Sequence, residues 1–170
     1  MKNSFETQRL LVRPITVEDA PFILELMNTP KWIKFIGDRN VRTVEDVKAY
    51  ITEKALPQLA SHGYGNNVII RKSDNVKLGT CGVYHREGIE IPDIGFAFLP
   101  SNEGKGYAFE ATSKLVEIMK KNHGLAELSA YTLEENLSSR KLLERLGFEL
   151  KGIGILPTSD EELLHYYRKL

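Results

Sequence analysis

Asp93-Ile94-Gly95-Phe96-Ala97-Phe98-Leu99-Pro100-Ser101-Asn102-Glu103-Gly104-Lys105-Gly106-Tyr107-Ala108 reads as a strand that passes through a glycine turn into a helix. A missing Cβ at Gly104 and Gly106 lets the main chain approach a ligand closely. The first N–H groups of a helix lack intrahelical partners, and the helix dipole adds partial positive charge there. Together these features suit a phosphate or pyrophosphate, and Lys105 could add a cation. A tight turn that binds nothing is the competing reading of the same residues. Two familiar phosphate loops do not apply. A P-loop needs GxxxxGK followed by Ser or Thr. A dinucleotide fingerprint needs a third glycine, where this chain has Phe109, and a parallel βαβ unit.

The strands upstream look antiparallel. Runs at 67–72, 77–85 and 89–99 are separated by short turns such as Ser73-Asp74-Asn75, and parallel neighbours would need long crossovers. Before them lies a strand at 9–13. A helix carrying Phe22, Ile23, Leu26 and Met27 follows the near capping box Thr16-Val17-Glu18-Asp19, and Pro30 ends it. A second helix starts at Thr43, with Pro57 expected to kink or end it so that 56–62 forms a separate piece. Downstream, a helix at 105–121 shows Ala108, Ala111, Leu115 and Ile118 on one face. A strand at 127–133, a helix at 137–146 ended by Gly147, and strands at 148–156 and 163–169 complete the pattern. The expectation is α+β: a single mixed, mainly antiparallel sheet of about seven strands flanked by about four helices.

The bulk properties fit one domain over residues 1–170. The 170 residues are 42% hydrophobic and 27% charged, with a formal net charge of zero. No Lys/Arg block forms a nucleic-acid patch, so no nucleic-acid partner is expected. No apolar leader or membrane-length run is read, so a cytoplasmic, non-membrane protein is the default. Cys81, the only cysteine, cannot pair internally, and the four histidines have no paired-ligand spacing, so no metal is expected.

A second constellation follows the strand at 127–133: Asn136-Leu137-Ser138-Ser139-Arg140, then Leu146-Gly147-Phe148. A capped helix explains these residues taken alone. Taken with Asp-Ile-Gly-Phe, Gly-Lys-Gly-Tyr-Ala-x-Glu-Ala and the opening Thr7-Gln8-Arg9-Leu10-Leu11-Val12-Arg13-Pro14, the chain resembles the GNAT superfamily of N-acetyltransferases. Within it, the resemblance is to the branch of the ribosomal-protein alanine N-acetyltransferases. It implies acetyl-CoA as co-substrate and no metal, with a V-shaped splay between strands 94–99 and 127–133. By resemblance, Phe98 and Leu99 would pair through their backbone with the pantetheine arm. Gly104, Lys105, Gly106, Tyr107 and Ala108 would hold the pyrophosphate, and Asn136 would contact the pantetheine end. The family's loop usually has Gln or Arg three residues before the first glycine; Ser101 stands there in this chain and implies weaker affinity at most.

The implied activity is acetyl transfer to a primary amine, on a protein N-terminus or a small molecule, by direct attack in a ternary complex. A homodimer is also in keeping with the superfamily. A peptide α-amine of pKa about 8 is roughly a tenth neutral at pH 7, whereas a lysine near 10.4 is neutral in well under a thousandth of molecules. The two acceptor classes therefore need very different help from a base. Ser139 is expected beside the departing thiolate, with Tyr131 as rival, and a backbone N–H near Phe98 could hold the oxyanion. Asp93, acting through water, is the expected base, ahead of His85 and Glu87. Trp32 and Phe35 are candidates to line the amine site. Cys81 and His85 lie four residues apart on a strand, about 13 Å, too far for a nucleophile–base pair. An acyl-CoA sensor without turnover and a purely structural domain remain as alternatives.

Overall fold

The computed structural model describes residues 3–157 and 159–170. Among them, eight strands form one sheet in the order β1-β2-β3-β4-β5-β6-β8-β7. The strands are β1 Phe5–Glu6, β2 Leu10–Pro14, β3 Asn66–Arg71, β4 Val76–Tyr84, β5 Asp93–Phe98, β6 Glu127–Thr132, β7 Glu149–Gly154 and β8 Leu163–Lys169. Six α-helices flank them: α1 Ala20–Met27, α2 Pro30–Phe35, α3 Val44–Tyr50, α4 Leu56–His62, α5 Tyr107–His123 and α6 Leu137–Arg145. The α+β class and the antiparallel first half are as the sequence implies. The two-residue β1 and the short α2 and α4 raise the element counts.

The differences have local causes. Pro30 does not simply end a helix; it occupies the first turn of α2, where its missing N–H costs nothing, and Thr29 Oγ1 caps Trp32 N. Pro57 begins α4, separated from α3 by a π-helical turn at Ile51–Ala55. β5 starts only at Asp93 because Pro92 precedes it. In α5 the fully buried stripe is Tyr107, Ala111, Leu115 and Met119, so the packed face is rotated from the one expected, and Ala108 and Ile118 are only half-buried.

Each sheet face carries its own core. On one, Leu10, Val12, Ile69, Leu78, Ile94, Leu128 and Tyr166 pack against α5 and α6 through Leu115, Met119, Leu142 and Leu143. On the other, Val68 and Ile70 pack against Ile23, Met27, Val47 and Ile51 of the first helices and the π-helical turn. That second cover stops short of β5 and β6. Antiparallel pairing holds everywhere except between β5 and β6, which run parallel and meet at the single register pair Asp93↔Ser129, with Ser129 N donating to Pro92 O at 2.9 Å. Beyond that point the strands diverge.

Candidate active site

The divergence opens a cleft of about 1370 Å³ running from the first helices to the glycine turn. Its long wall is β5. Leu99 N donates to Leu78 O at 3.0 Å, which makes that pair a hydrogen-bonded one. Antiparallel ladders alternate, so residues 95 and 97 bond toward β4 while the main-chain groups of Phe96 and Phe98 face the gap. Leu99 is different from Phe98: its N–H is held by Leu78 and its C=O accepts from Asn102 N, leaving neither group open to a ligand. From Asp93 to Phe98 the strand spans about 17 Å at 3.3–3.4 Å per residue. A ligand anchored at the glycine turn and reacting near Asp93 must therefore be long and linear.

At the outer end, Gly104 and Gly106 adopt left-handed φ values of 72° and 80°, and α5 begins immediately after. Glu110 N donates to Gly106 O, so the N–H groups of Tyr107, Ala108 and Phe109 lie ahead of the first intrahelical bond. The turn and the first residues of α5 are tied to the segment just before β2. Arg9 Nε meets Glu110 Oε2 at 2.7 Å, Arg9 NH1 donates to Lys105 O at 3.0 Å, and the guanidinium lies 4.4 Å over the Tyr107 ring. Thr7 Oγ1 and Arg9 N donate to Glu110 Oε1. Lys105 points its ammonium at Ser101 O and does not line the cleft; Lys31 of α2 reaches Glu103 at 2.8 Å.

Asn136 is the N-cap of α6, its Oδ1 accepting from Ser139 N. Both residues line the cleft, and the Ser139 hydroxyl has no hydrogen-bond partner among the described residues. Trp32 and Phe35 line the opposite wall. Trp32 Nε1 is buried without a partner, the only such side-chain atom among the described residues, so a donor is left over in the wall of the cleft.

Asp93 sits where the strands part, 3% exposed, in a two-point ion pair with Arg86 (Nε–Oδ1 2.6 Å, NH2–Oδ2 3.0 Å). Burial pushes its carboxyl up, against the pull of the guanidinium. Both carboxylate oxygens are thus engaged. Tyr84 forms part of the floor: its ring lies over Gly95, where a Cβ would come within 3.0 Å, and its hydroxyl donates to Asn66 Oδ1. Tyr131 also lines the cleft and stacks on His165, whose Nε2 is 2.9 Å from Ser129 Oγ. Glu87 is exposed and outside the cleft. Cys81 is fully buried, and burial pushes its thiol up to about 12, which suits packing and not nucleophilic attack.

His85 follows β4 directly and lines the cleft; it shares a hydrogen bond through Nε2 with the Tyr64 hydroxyl and stacks on His62 at 3.9 Å. Tyr64 in turn meets His123 edge-on at 4.9 Å. Sequence reading does not single out Arg86, Tyr84 or Tyr64, and the histidines look scattered because loops and helices separate them. Period-two spacing along β4 puts Thr80, Gly82 and Tyr84 on one face and is the one signal that could have found the floor. Among the described residues no group of three or more His, Cys, Asp or Glu is arranged to hold a metal, and no helix is long and apolar enough to cross a membrane.

Residues 9–149 match the family model of the acetyltransferase (GNAT) domain. The uncharacterized N-acetyltransferase YnaD of Bacillus subtilis is 26% identical over 167 residues, covering 95% of this chain and 92% of that protein. An acetyltransferase from Agrobacterium tumefaciens superposes with a TM-score of 0.83 at 23% identity, covering 98% of this chain and 94% of its own. The ribosomal alpha-N-protein acetyltransferase RimL, solved in complex with coenzyme A, shares the fold with a TM-score of 0.78 at 18% identity over 96% of both chains.

Proposed function

The chain belongs to the GNAT acetyltransferase family, and on that premise we propose that it moves an acetyl group from acetyl-CoA to a primary amine, on a protein N-terminus or a small molecule, within a ternary complex. The observation that carries this reading is the gap beyond the single Asp93↔Ser129 pair. One wall of that gap offers unpaired main-chain groups, and its outer end is a glycine-flanked helix N-terminus. A pantetheine arm is long, linear and amide-bearing, so it fits a strand edge about 17 Å long. A pyrophosphate fits the N–H groups of Tyr107, Ala108 and Phe109.

The residues then take distinct roles. Phe98 and Phe96 offer main-chain partners along the arm, and an N–H from this edge holds the developing oxyanion. Gly104 and Gly106 keep the loop free of side chains, and Asn136 fixes the start of α6. Ser139 brings its unpartnered hydroxyl to the departing sulfur, where it donates a hydrogen bond or relays a proton. Trp32 and Phe35 border the acceptor, with Trp32 Nε1 a spare donor for it.

The test combines binding with turnover. Acetyl-CoA is titrated calorimetrically, and thiol release is then followed with alanine- and serine-leading peptides, spermidine and an aminoglycoside. Amine-dependent thiol release is expected with at least one acceptor. Ser139→Ala should keep its CoA affinity and lose about tenfold or more in turnover, the usual scale of proton-transfer assistance being about 10²–10⁴. Binding without transfer to any acceptor would instead mark an acyl-CoA sensor.

A further inference from the structure

The cleft contains few groups able to take a proton from an ammonium. Asp93 has both oxygens on Arg86. Glu103 lies at the far, phosphate-binding end and is held by Lys31. Glu161 is on the exposed connection between β7 and β8. His85 is of another kind. It stands at the inner end of the cleft, one residue beyond the Tyr84↔Asp93 register pair and hence beside the point where β5 and β6 part. Of the four histidines it alone lines the cleft. Its Nε2 is taken by Tyr64, whereas Nδ1 has no partner among the described residues and is not among the buried unpartnered atoms, so it is open to solvent.

We infer that His85 is the group that takes the proton from the acceptor amine, with Tyr64 and His62 holding its ring; this rests on the acetyl-transfer reading above. For Nδ1 to accept a proton, the ring hydrogen sits on Nε2 and is donated to the Tyr64 oxygen, a tautomer that the Tyr64 contact allows. The stacked His62 face limits rotation of the ring. The charged and titratable groups around it are His62 and Tyr64 from the end of α4, Asp93 from β5, and Arg86 next in the chain. Burial, then His62, pushes the imidazole below its usual value, and Asp93 pulls the other way. The net lowering leaves His85 an uncharged base at neutral pH, ready to accept.

The step balances without a further reactant. The ammonium gives one proton to Nδ1, and the freed lone pair forms the C–N bond at the thioester carbon. Collapse of the oxyanion breaks the C–S bond, and its electron pair leaves on sulfur. Sulfur takes the second nitrogen proton, directly or through the Ser139 hydroxyl, and the imidazolium returns its proton to water. In this division of labour Asp93 is a positioning residue: with Arg86 it ties the end of β4 to the start of β5, and so fixes where His85 stands.

The test is the pH profile of kcat/KM with the best acceptor from the peptide and polyamine panel, beside calorimetric CoA binding. Wild-type protein should lose activity as pH falls through a histidine ionisation below about 6.5. His85→Gln should lose at least tenfold at pH 7 and lose that limb, with CoA affinity unchanged. Tyr64→Phe should shift the limb and lower kcat less, and imidazole in the buffer should restore part of the activity of His85→Ala. A His85→Gln enzyme that binds CoA and keeps the wild-type rate and profile overturns the inference while leaving acetyl transfer intact. Failure of the wild type to acetylate any acceptor overturns the transfer reading itself, and the inference with it.

Discussion

β5 has two edges with opposite fates. Toward β4 it is sealed by six consecutive register pairs, with Gly79 and Gly82 letting the strands and the Tyr84 ring close up. Toward β6 it makes one pair and then stands open. The sealed side has its backbone groups satisfied within the protein, so its residues act on stability. The open side keeps main-chain donors and acceptors in reserve, and the loop, the cap of α6 and His85 are arranged around them. Two buried aspartates repeat the contrast. Asp19, fully buried and not part of the cleft lining, is held by Arg13 at 2.8 Å and Lys77 at 2.7 Å. Asp93 sits at the inner end of the open side with a single cationic partner.

The largest way to break this comparison is through Asp19. Asp19→Asn leaves two cations facing a neutral amide and should cost about 3–5 kcal/mol in urea unfolding, with the affinity of the surviving folded protein for CoA unchanged. The pH dependence has a definite sign. Burial opposes ionisation of Asp19, but Arg13, Lys77 and Thr16 N outweigh it and hold the carboxyl well below its ordinary value. Its contribution is therefore present above the unfolded pKa near about 3.9 and is lost as pH falls below that. Wild-type stability should drop steeply in that acid range, and Asp19→Asn should show a flatter profile.

Next comes a glycine pair that probes the two sides directly. A Cβ at Gly79 would meet two backbone atoms, Ala97 O at 2.2 Å and Phe98 Cα at 2.9 Å, besides Phe98 Cγ at 2.9 Å, so Gly79→Ala should destabilise by about 2–3 kcal/mol. At Gly95 the nearest atom is the Tyr84 ring edge at 3.0 Å, a side chain and not backbone. Gly95→Ala should cost about 1 kcal/mol or less and show its effect in kcat/KM instead. The last site is Gly106, on the open side, whose φ of 80° strains any other residue. Gly106→Ala should cost roughly 1–2 kcal/mol in unfolding through that backbone strain, and unlike the Gly79 variant it should also weaken CoA about tenfold by calorimetry, because the loop at the anion site must shift to relieve the strain.

Much of this architecture is legible in the chain because it is local. The strand–glycine turn–helix segment at 93–108 and the capped helix after Asn136 both declare themselves through turn and cap chemistry. The short turns at 73–75 and near 87–88 suffice to identify the antiparallel half, whereas the parallel junction is implied only by the family resemblance. What escapes is what depends on distant partners. The packed face of α5 includes Tyr107, whose ring lies under Arg9, 98 positions away in the chain. Pro30 carries the same local signal whether it stops one helix or starts the next. Arg86 has no motif and gains meaning only when the β4–β5 turn folds it onto Asp93. The contacts among His62, Tyr64, His85 and His123 join the end of α4, the end of β4 and the end of α5, which no spacing rule connects.

The most direct test of the central claim is amide hydrogen exchange across β5 with and without coenzyme A. The account predicts that coenzyme A slows exchange at Phe96 and Phe98 and at Tyr107, Ala108 and Phe109, with no change in the β2–β3 ladder. Saturating coenzyme A that leaves these amides unchanged, or protects a different surface, would contradict it.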